Sequence, residues 1–466
     1  MSVPKRWLHG EWSRPFAFVV AMAGAAIGLG HVWTFPHLVA THGGGAFLLI
    51  YGVFLALLVL PLWLAEIGVA RAMRASLPRA LYRIAGDQGG VRSGWLSVGW
   101  LVVTAAGVML AFQAAAAGWL GAWLHATVVD PSLDFDVVTT AALFADIWDR
   151  PERFLLWHTL AVAAAGIVVG RGYTAGLEPV MRAMVAAMLL LFLGLLAWLA
   201  LQADLGSAWR AVFDVRTAML GWDGVRAAGE YALFSTAAAL GIAAAFGAAL
   251  PSRWPTASAA GAGLALQALF AVLAALFVVM AMGTIGGMDG QATGPTLIFH
   301  DLPQALTALP GGREALLALF SVLVMAVLTT VIALMEVVVS AVTEQGRLRR
   351  VGAAALVAGA AWLAGPFLAL VAQGWFHTEA VAAVRSDNSG TLIAVDAGRA
   401  LVWTVIPGVA LVLLVFTGWC TSWEPLRGAL HVRDTHRHEI VRLGLRYVAP
   451  ALLLGLLVSV ARLAVF

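Results

Sequence analysis

The stretch AMAGAAIGLGHVWTFP, Ala21 to Pro36, packs Gly24, Gly28, Gly30 and His31 into an otherwise apolar run. Glycines at that spacing let a helix come apart, and an unwound backbone offers carbonyls to a cation and N–H groups to an anion. A second run, STAAALGIAAAFG from Ser235 to Gly247, carries Gly241 at its middle. In LTTVIALMEVVV, Thr329 and Thr330 add two hydroxyls, hard oxygen donors of the kind small cations accept. These are groups that hold ions and solutes. Groups that break bonds are missing. The histidine cluster HVRDTHRHE, His431 to Glu439, lacks an HExxH spacing and reads as a solvated basic loop. GGGAF at 43–47 is followed by no Lys-Ser or Lys-Thr, and nothing resembles a nucleophile elbow. The single cysteine, Cys420, excludes an intrachain disulfide and a cysteine metal cluster. No enzyme is expected.

Elements that position such groups follow from composition. The 466 residues are 62% hydrophobic and 11% charged, with mean hydropathy +0.91, more apolar surface than a soluble core hides. An all-α polytopic membrane protein is predicted. A span needs about 20 apolar residues, and about eleven such runs are expected, over 14–38, 42–71, 93–125, 154–170, 177–201, 227–250, 257–285, 314–343, 351–373, 399–423 and 440–464. The polar start MSVPKRWLHGEWSR runs into a full-length span, so no cleavable signal is expected.

Loop charge sets the orientation. Lys5, Arg6 and Arg14 precede the first span, Arg71, Arg74, Arg79, Arg83 and Arg92 follow the second, and Arg347, Arg349 and Arg350 follow the eighth. The loop after the third span carries six acids against two arginines, among them Asp130, Asp134 and Asp136. By the positive-inside rule the N-terminus is cytoplasmic and, with an odd number of spans, the C-terminus outside, in a multi-pass inner (cytoplasmic) membrane protein. The net charge of +3 and pI near 9.4 follow from those arginines and call for no nucleic acid.

The two glycine-interrupted runs fall in the first and sixth spans. An odd offset makes the sixth cross the membrane in the opposite sense from the first, as a five-plus-five inverted repeat with broken helices 1 and 6 requires. Paired interruptions of this kind point to a transport site near the bilayer midplane, because unpaired backbone groups in hydrocarbon cost several kcal/mol unless something polar occupies them. One domain is expected over 1–466, with repeats at about 12–201 and 227–423 and an additional helix at about 440–464.

The run WSRPFAFVVAMAGAAIGLGHVWTFPHLVATHGGGAFLLIYG, Trp12 to Gly52, resembles the opening of the neurotransmitter:sodium symporter family, which includes bacterial amino-acid transporters of the leucine-transporter fold. PLWLAEIGVAR at 61–71, GRGYTAGLEPVMR at 170–182, LFSTAAALGIAAAFGAAL at 233–250, GPTLIFHDLPQAL at 294–306 and FTGW at 416–419 extend the likeness. The resemblance implies a second sodium site from the carbonyls of Gly24, Ile27 and Ala326 and the hydroxyls of Thr329 and Thr330. It implies a first site from Ala26, His31, Ser235 and Gln267, where the family has asparagine in place of His31. A neutral imidazole is a poor sodium ligand and a protonated one repels the ion, so one coupled sodium is expected rather than two.

For the substrate, the resemblance implies the backbone of Ala26, Gly28, Leu29 and Gly30 with His31, carbonyls of Phe234 and Ser235, and a pocket of Met109, Phe234, Ala237, Leu240, Thr330 and Leu334. Gln113 falls where the family's tyrosine belongs. The family's serine at the chloride position falls on Ala271, which argues against chloride dependence. For the gates it implies Asp396 outside, opposite Thr34 in place of an arginine. Inside it implies Glu344, with Arg6 or His9 as partner above Trp12.

Together these imply a sodium-coupled symporter importing a small amino acid or similar organic solute by alternating access, as a monomer or weak homodimer in the bilayer. Two alternatives stay open: a substrate sensor of the same fold that does not transport, and a proton-coupled transporter using His31.

Overall fold

The computed structural model describes residues 10–87, 92–129, 151–251, 254–287, 294, 297–346, 348–380, 404–431 and 435–465. Among these residues the chain is helical, and its one β-type contact is an isolated antiparallel bridge between Gly44 and Val215. Eight helices are long and apolar enough to cross a membrane, or ten when each of two bent pairs counts as one span. The expected eleven is reached only if Gly221–Ser235 and Ile242–Ala248, parted by the six residues 236–241, also form one.

The first bent pair opens the chain. Helix α1 (Pro15–Ala26) starts with Pro15, whose fixed φ and missing N–H suit a first turn. After a break come α2 (Gly30–Trp33) and α3 (Phe35–Thr41), turned 56° from α1. Helix α4 (Gly45–Met73) follows, then α5 (Leu77–Asp87) across one face, α6 (Arg92–Val129), α7 (Pro151–Gly170) and α8 (Tyr173–Ala200). Short α9 (Leu205–Phe213) leads to the interrupted pair α10 (Gly221–Ser235) and α11 (Ile242–Ala248). Helices α12 (Thr256–Gly283), α13 (Leu302–Thr307), α14 (Gly312–Thr343) and α15 (Arg350–Ala380) come next. The expected straight tenth span is instead α16 (Ile406–Cys420) and α17 (Trp423–Leu430), bent by 110°. The chain closes with α18 (Glu439–Ser459).

α1 packs against α8, α12 and α14. Gly24 makes the approach possible: a Cβ there would collide with Val185 of α8 and touch Thr329 Cβ of α14 at 3.7 Å. α6, α7 and α15 form a second packed group. Buried His158 of α7 ties it together, with Nδ1 3.0 Å from the Ala114 carbonyl and Nε2 3.2 Å from that of Trp362. Trp362 O is four residues before Pro366, which has no N–H to give it.

Candidate functional site

The break in the first span is a matter of where N–H groups point. The Ile27 N–H still reaches Ala23 O at 2.9 Å, but the next, of Gly28, meets His31 Nδ1 at 3.2 Å. Ile27 is extended, with ψ of 113°, so the last carbonyls of α1 lie at a bare helix C-terminus.

α14 meets those carbonyls with hydroxyls. Thr329 Oγ1 lies 2.8 Å from Gly24 O and 2.8 Å from Ala326 O. Thr330 Oγ1 lies 3.2 Å from Ala25 O, 3.5 Å from Ile27 O and 3.2 Å from Ala326 O. Each threonine thus bonds back along its own helix, as membrane threonines do, and also across to α1. Two hydroxyl protons face the carbonyls of Gly24, Ala25, Ile27 and Ala326, so lone pairs outnumber protons. A set of neutral hard oxygens with that surplus fits a small monovalent cation.

His31, just past the break, belongs to a separate polar knot. Its Nε2 is 2.6 Å from Gln267 Nε2 on α12, and the same amide nitrogen donates to Tyr51 Oη of α4 at 3.0 Å. Its Nδ1 is 3.2 Å from Gly28 O. With Gln267 donating to both His31 Nε2 and Tyr51, the imidazole is neutral with its proton on Nδ1, which then donates to Gly28 O and no longer accepts the Gly28 N–H. Tyr231 and Phe270 meet the imidazole edge-on, with ring centres 6.0 and 5.9 Å away. Gln267 Oε1 and Tyr231 Oη are buried without a hydrogen-bond partner. His31 and Gln267, both assigned above to the first sodium site, therefore touch each other.

The second break, 236–241, is built unusually. Ala237 and Ala239 are left-handed, at φ 49° and 64°, together with Gly241 at 77°. A left-handed alanine costs roughly 1–2 kcal/mol. Gly241 sits where a Cβ would lie 3.1 Å from Val337 of α14 and 3.2 Å from Val102 of α6, which wedges the break between those helices. Of the expected pocket residues, Leu240 and Leu334 are buried, Met109, Gln113, Ser235 and Ala237 partly so, and Phe234 is 41% exposed.

The opposite face is sealed. Trp12 is 1% exposed, with its indole N–H on Phe246 O at 3.0 Å and its backbone N–H on Ala249 O at 3.1 Å. Tyr173 Oη donates to Ala245 O at 2.9 Å, and Glu178 takes both the N–H and the hydroxyl of Ser13. Arg71 donates to Thr256 Oγ1 and to the carbonyls of Pro251, Trp254 and Ala429. Buried Glu336 pairs with Arg350.

Glu344 bonds to neither of its expected partners among the described residues, since Arg6 and His9 lie outside them. Its carboxylate accepts the N–H and hydroxyl of Ser76 at 2.9 and 2.6 Å, and Arg79 donates to its carbonyl at 2.8 Å. Burial pushes the Glu344 carboxyl up, against the Ser76 hydrogen bonds that pull it down. Asp396 also lies outside the described residues, and Thr34 is the C-cap of α2.

Tyr51, Ser76, Tyr173 and Glu178 were not anticipated as site residues. A tyrosine in an apolar span is a signal, since the chain has only five. Glu66 and Glu336, acids inside apolar runs, are another.

Residues 9–114 match the family model described as "Sodium:neurotransmitter symporter family". An "uncharacterized sodium-dependent transporter" of Bacillus subtilis (strain 168), YhdH, is 28% identical over 73% of this chain and 74% of its own length. The chain is similar to sodium:neurotransmitter symporters in its first quarter and to sodium-dependent transporters over most of its length. An uncharacterized sodium-dependent transporter of Haemophilus influenzae is 25% identical, over 77% of this chain and 79% of its own length. The mouse sodium- and chloride-dependent neutral and basic amino acid transporter B(0+) is 46% identical over only 77 residues, 12% of its length. The chain also shares its fold with MhsT, solved in complex with L-phenylalanine. That likeness has a TM-score of 0.80, covers 97% of this chain and 99% of MhsT, and comes at 23% identity.

Proposed function

We propose that this chain is a member of the sodium:neurotransmitter symporter family, a secondary active symporter importing a small amino acid or amino-acid-like organic solute, driven by one Na+. The observation that carries the reading is the 2.8 Å approach of Thr329 Oγ1 to Gly24 O across the broken helix. Gly24, Ile27, Ala326, Thr329 and Thr330 hold the ion. The contact between His31 Nε2 and the Gln267 amide nitrogen fills the position of the first site with a hydrogen-bonded imidazole in place of Na+. Chloride is not required.

The substrate lies between the two breaks. Its carboxylate meets the N–H groups of Leu29 and Gly30, with His31 and Gln113 nearby. Its amine meets carbonyls of Ala26, Phe234 and Ser235. Its side chain meets Met109, Phe234, Ala237, Leu240, Thr330 and Leu334, an apolar set that suits the ligand of MhsT.

With Trp12 buried and Phe234 exposed, the conformation is open away from the Trp12 face. Substrate enters there, rocking of the interrupted helices closes that side, and the Trp12 face then opens. Residues 1–466 form one domain, with inverted repeats at about 12–201 and 227–423 and an additional helix at about 440–464. The N-terminus is cytoplasmic, the C-terminus external, and the inner gate is Trp12 with Glu344. The gradient supplies about 2.3 kcal/mol per charge per 100 mV beyond its chemical part.

Uptake of labelled hydrophobic amino acids into proteoliposomes, with and without an inward sodium gradient, tests this. Accumulation only with the gradient is expected. Binding without accumulation would make the protein a sensor, and accumulation driven by a pH gradient alone would make it a proton symporter.

A further inference from the structure

Arg446 stands on α18, an otherwise apolar span, one helical turn beyond Arg442 on the same face. Its guanidinium lies 4.3 Å from the centre of the Trp419 ring and 5.6 Å from that of Tyr447. The two rings meet edge-on at 5.4 Å, and the Trp419 indole N–H donates to Arg446 O at 3.0 Å. Gly418 allows this junction of α16 and α18, because a Cβ there would come within 3.0 Å of Arg446 Cα and 3.1 Å of Leu445 O. Both helices widen to π turns at this point, 416–420 and 444–448.

Two features of the junction call for an anion. Among the described residues Arg446 has no carboxylate within ion-pair distance, and its Nε is buried with no acceptor. A cation at the edge of hydrocarbon without a counter-charge is costly, and stacking on aromatic faces compensates only part. The junction also faces outward: Trp419 is 53% and Tyr447 49% exposed, amphipathic rings of the kind that sit at headgroup level. Leu443 and Val415 beside them are exposed as well, so acyl chains have an apolar wall below the charge.

The junction lies towards the Trp12 face. α17, which continues α16, reaches Arg71 through Ala429 O, and Arg71 binds Pro251 next to the segment that holds Trp12. We propose that Arg446, with Arg442 and the Trp419–Tyr447 pair, forms a binding site for the phosphate of an anionic phospholipid in the leaflet on the Trp12 side. The guanidinium takes the phosphate oxygens in a fixed planar fork while the rings hold it at interfacial depth.

The test is native mass spectrometry of the full-length protein in detergent, titrated with dioleoylphosphatidylglycerol or dioleoylphosphatidylcholine. Tighter binding of the glycerol lipid is expected, with an about fivefold loss in Arg446→Gln, the worth of one arginine near an anionic surface. Arg446→Lys guards against misfolding: it keeps the charge but loses the stacked fork, so its affinity is expected to fall between the other two. Equal binding of both lipids, or undiminished preference in both variants, overturns the proposal. So does equal protection from thermal unfolding by inorganic phosphate alone, or light scattering that shows an Arg446-dependent dimer indifferent to lipid.

Discussion

Thr329 on α14 reaches the Gly24 carbonyl on α1 at 2.8 Å, although 305 residues separate them in the chain. A hydroxyl at this point can give its proton to the carbonyl or turn its lone pair, with the carbonyl's, towards a cation. Thr329→Val removes both options while keeping the shape. Losing one ligand of this kind costs about 1–3 kcal/mol, so sodium affinity is expected to fall roughly 5- to 150-fold. Thr329→Ser is expected to keep most of it. Sodium-dependent thermal shifts of the purified protein measure both, and a valine variant with unchanged sodium response would remove this residue from the ion site.

His31 Nε2 and the Gln267 amide nitrogen lie 2.6 Å apart. His31→Asn exchanges a ring nitrogen for an amide oxygen and shortens the side chain. The wild type is expected to respond to sodium with a Hill coefficient near one, and the variant more steeply. A wild type that already responds with a coefficient near two would mean that the imidazole does not displace an ion.

Glu344 has its carboxyl pushed up by burial, so the folded, sealed state binds its proton more tightly than the unfolded chain. Its contribution to stability is present below the ordinary carboxylate value and declines as pH rises towards the raised one. Relative to Glu344→Gln, the wild type is therefore expected to lose thermal stability across that interval and to run parallel above it. Melting curves of the two proteins at a series of pH values decide the matter; a constant difference at every pH contradicts the assignment.

His158 faces two carbonyls, those of Ala114 and Trp362, and a neutral ring has one N–H for them; held on Nε2, that proton answers the Trp362 carbonyl at 3.2 Å, which Pro366 leaves without its helical donor. His158→Phe keeps a ring in the tight space against Gly365 but removes the N–H. A cost of about 1–3 kcal/mol is expected for the stranded oxygen. Adding Pro366→Ala restores a backbone N–H at that position and is expected to recover part of the loss. Thermal unfolding of the four proteins closes the cycle, and no recovery would mean that the histidine acts through packing alone.

Spans were readable from the sequence wherever an uninterrupted apolar run set the helix, as in 93–125 and 314–343, which lie within α6 and α14. The first break was visible through Gly24, Gly28 and Gly30. The second was visible only at Gly241, because nothing in a run of alanines announces that Ala237 and Ala239 turn left-handed. Gly241 beside them is wedged between Val102 of α6 and Val337 of α14, neighbours that only the folded chain supplies. The Thr329 and Thr330 oxygens could be paired with α1 only through resemblance to a family, since spacing in sequence does not bring residues 305 apart together. The partners of His31 and Glu344 were out of reach for a related reason. Gln267 was one donor among several expected around an ion, and Ser76 is an ordinary serine until α5 folds across beneath α14.

Arg71 hands its protons to two separate pieces of chain at once: one carrying Pro251, Trp254 and Thr256 at the start of α12, the other Ala429 near the end of α17. None of those bonds can lengthen alone without stranding the others around a shared charge. Release on that face should therefore be all-or-none, so that a recording of single molecules would show abrupt steps between two levels instead of a graded drift. In the proposed transport cycle, the same guanidinium disfavours a half-open path.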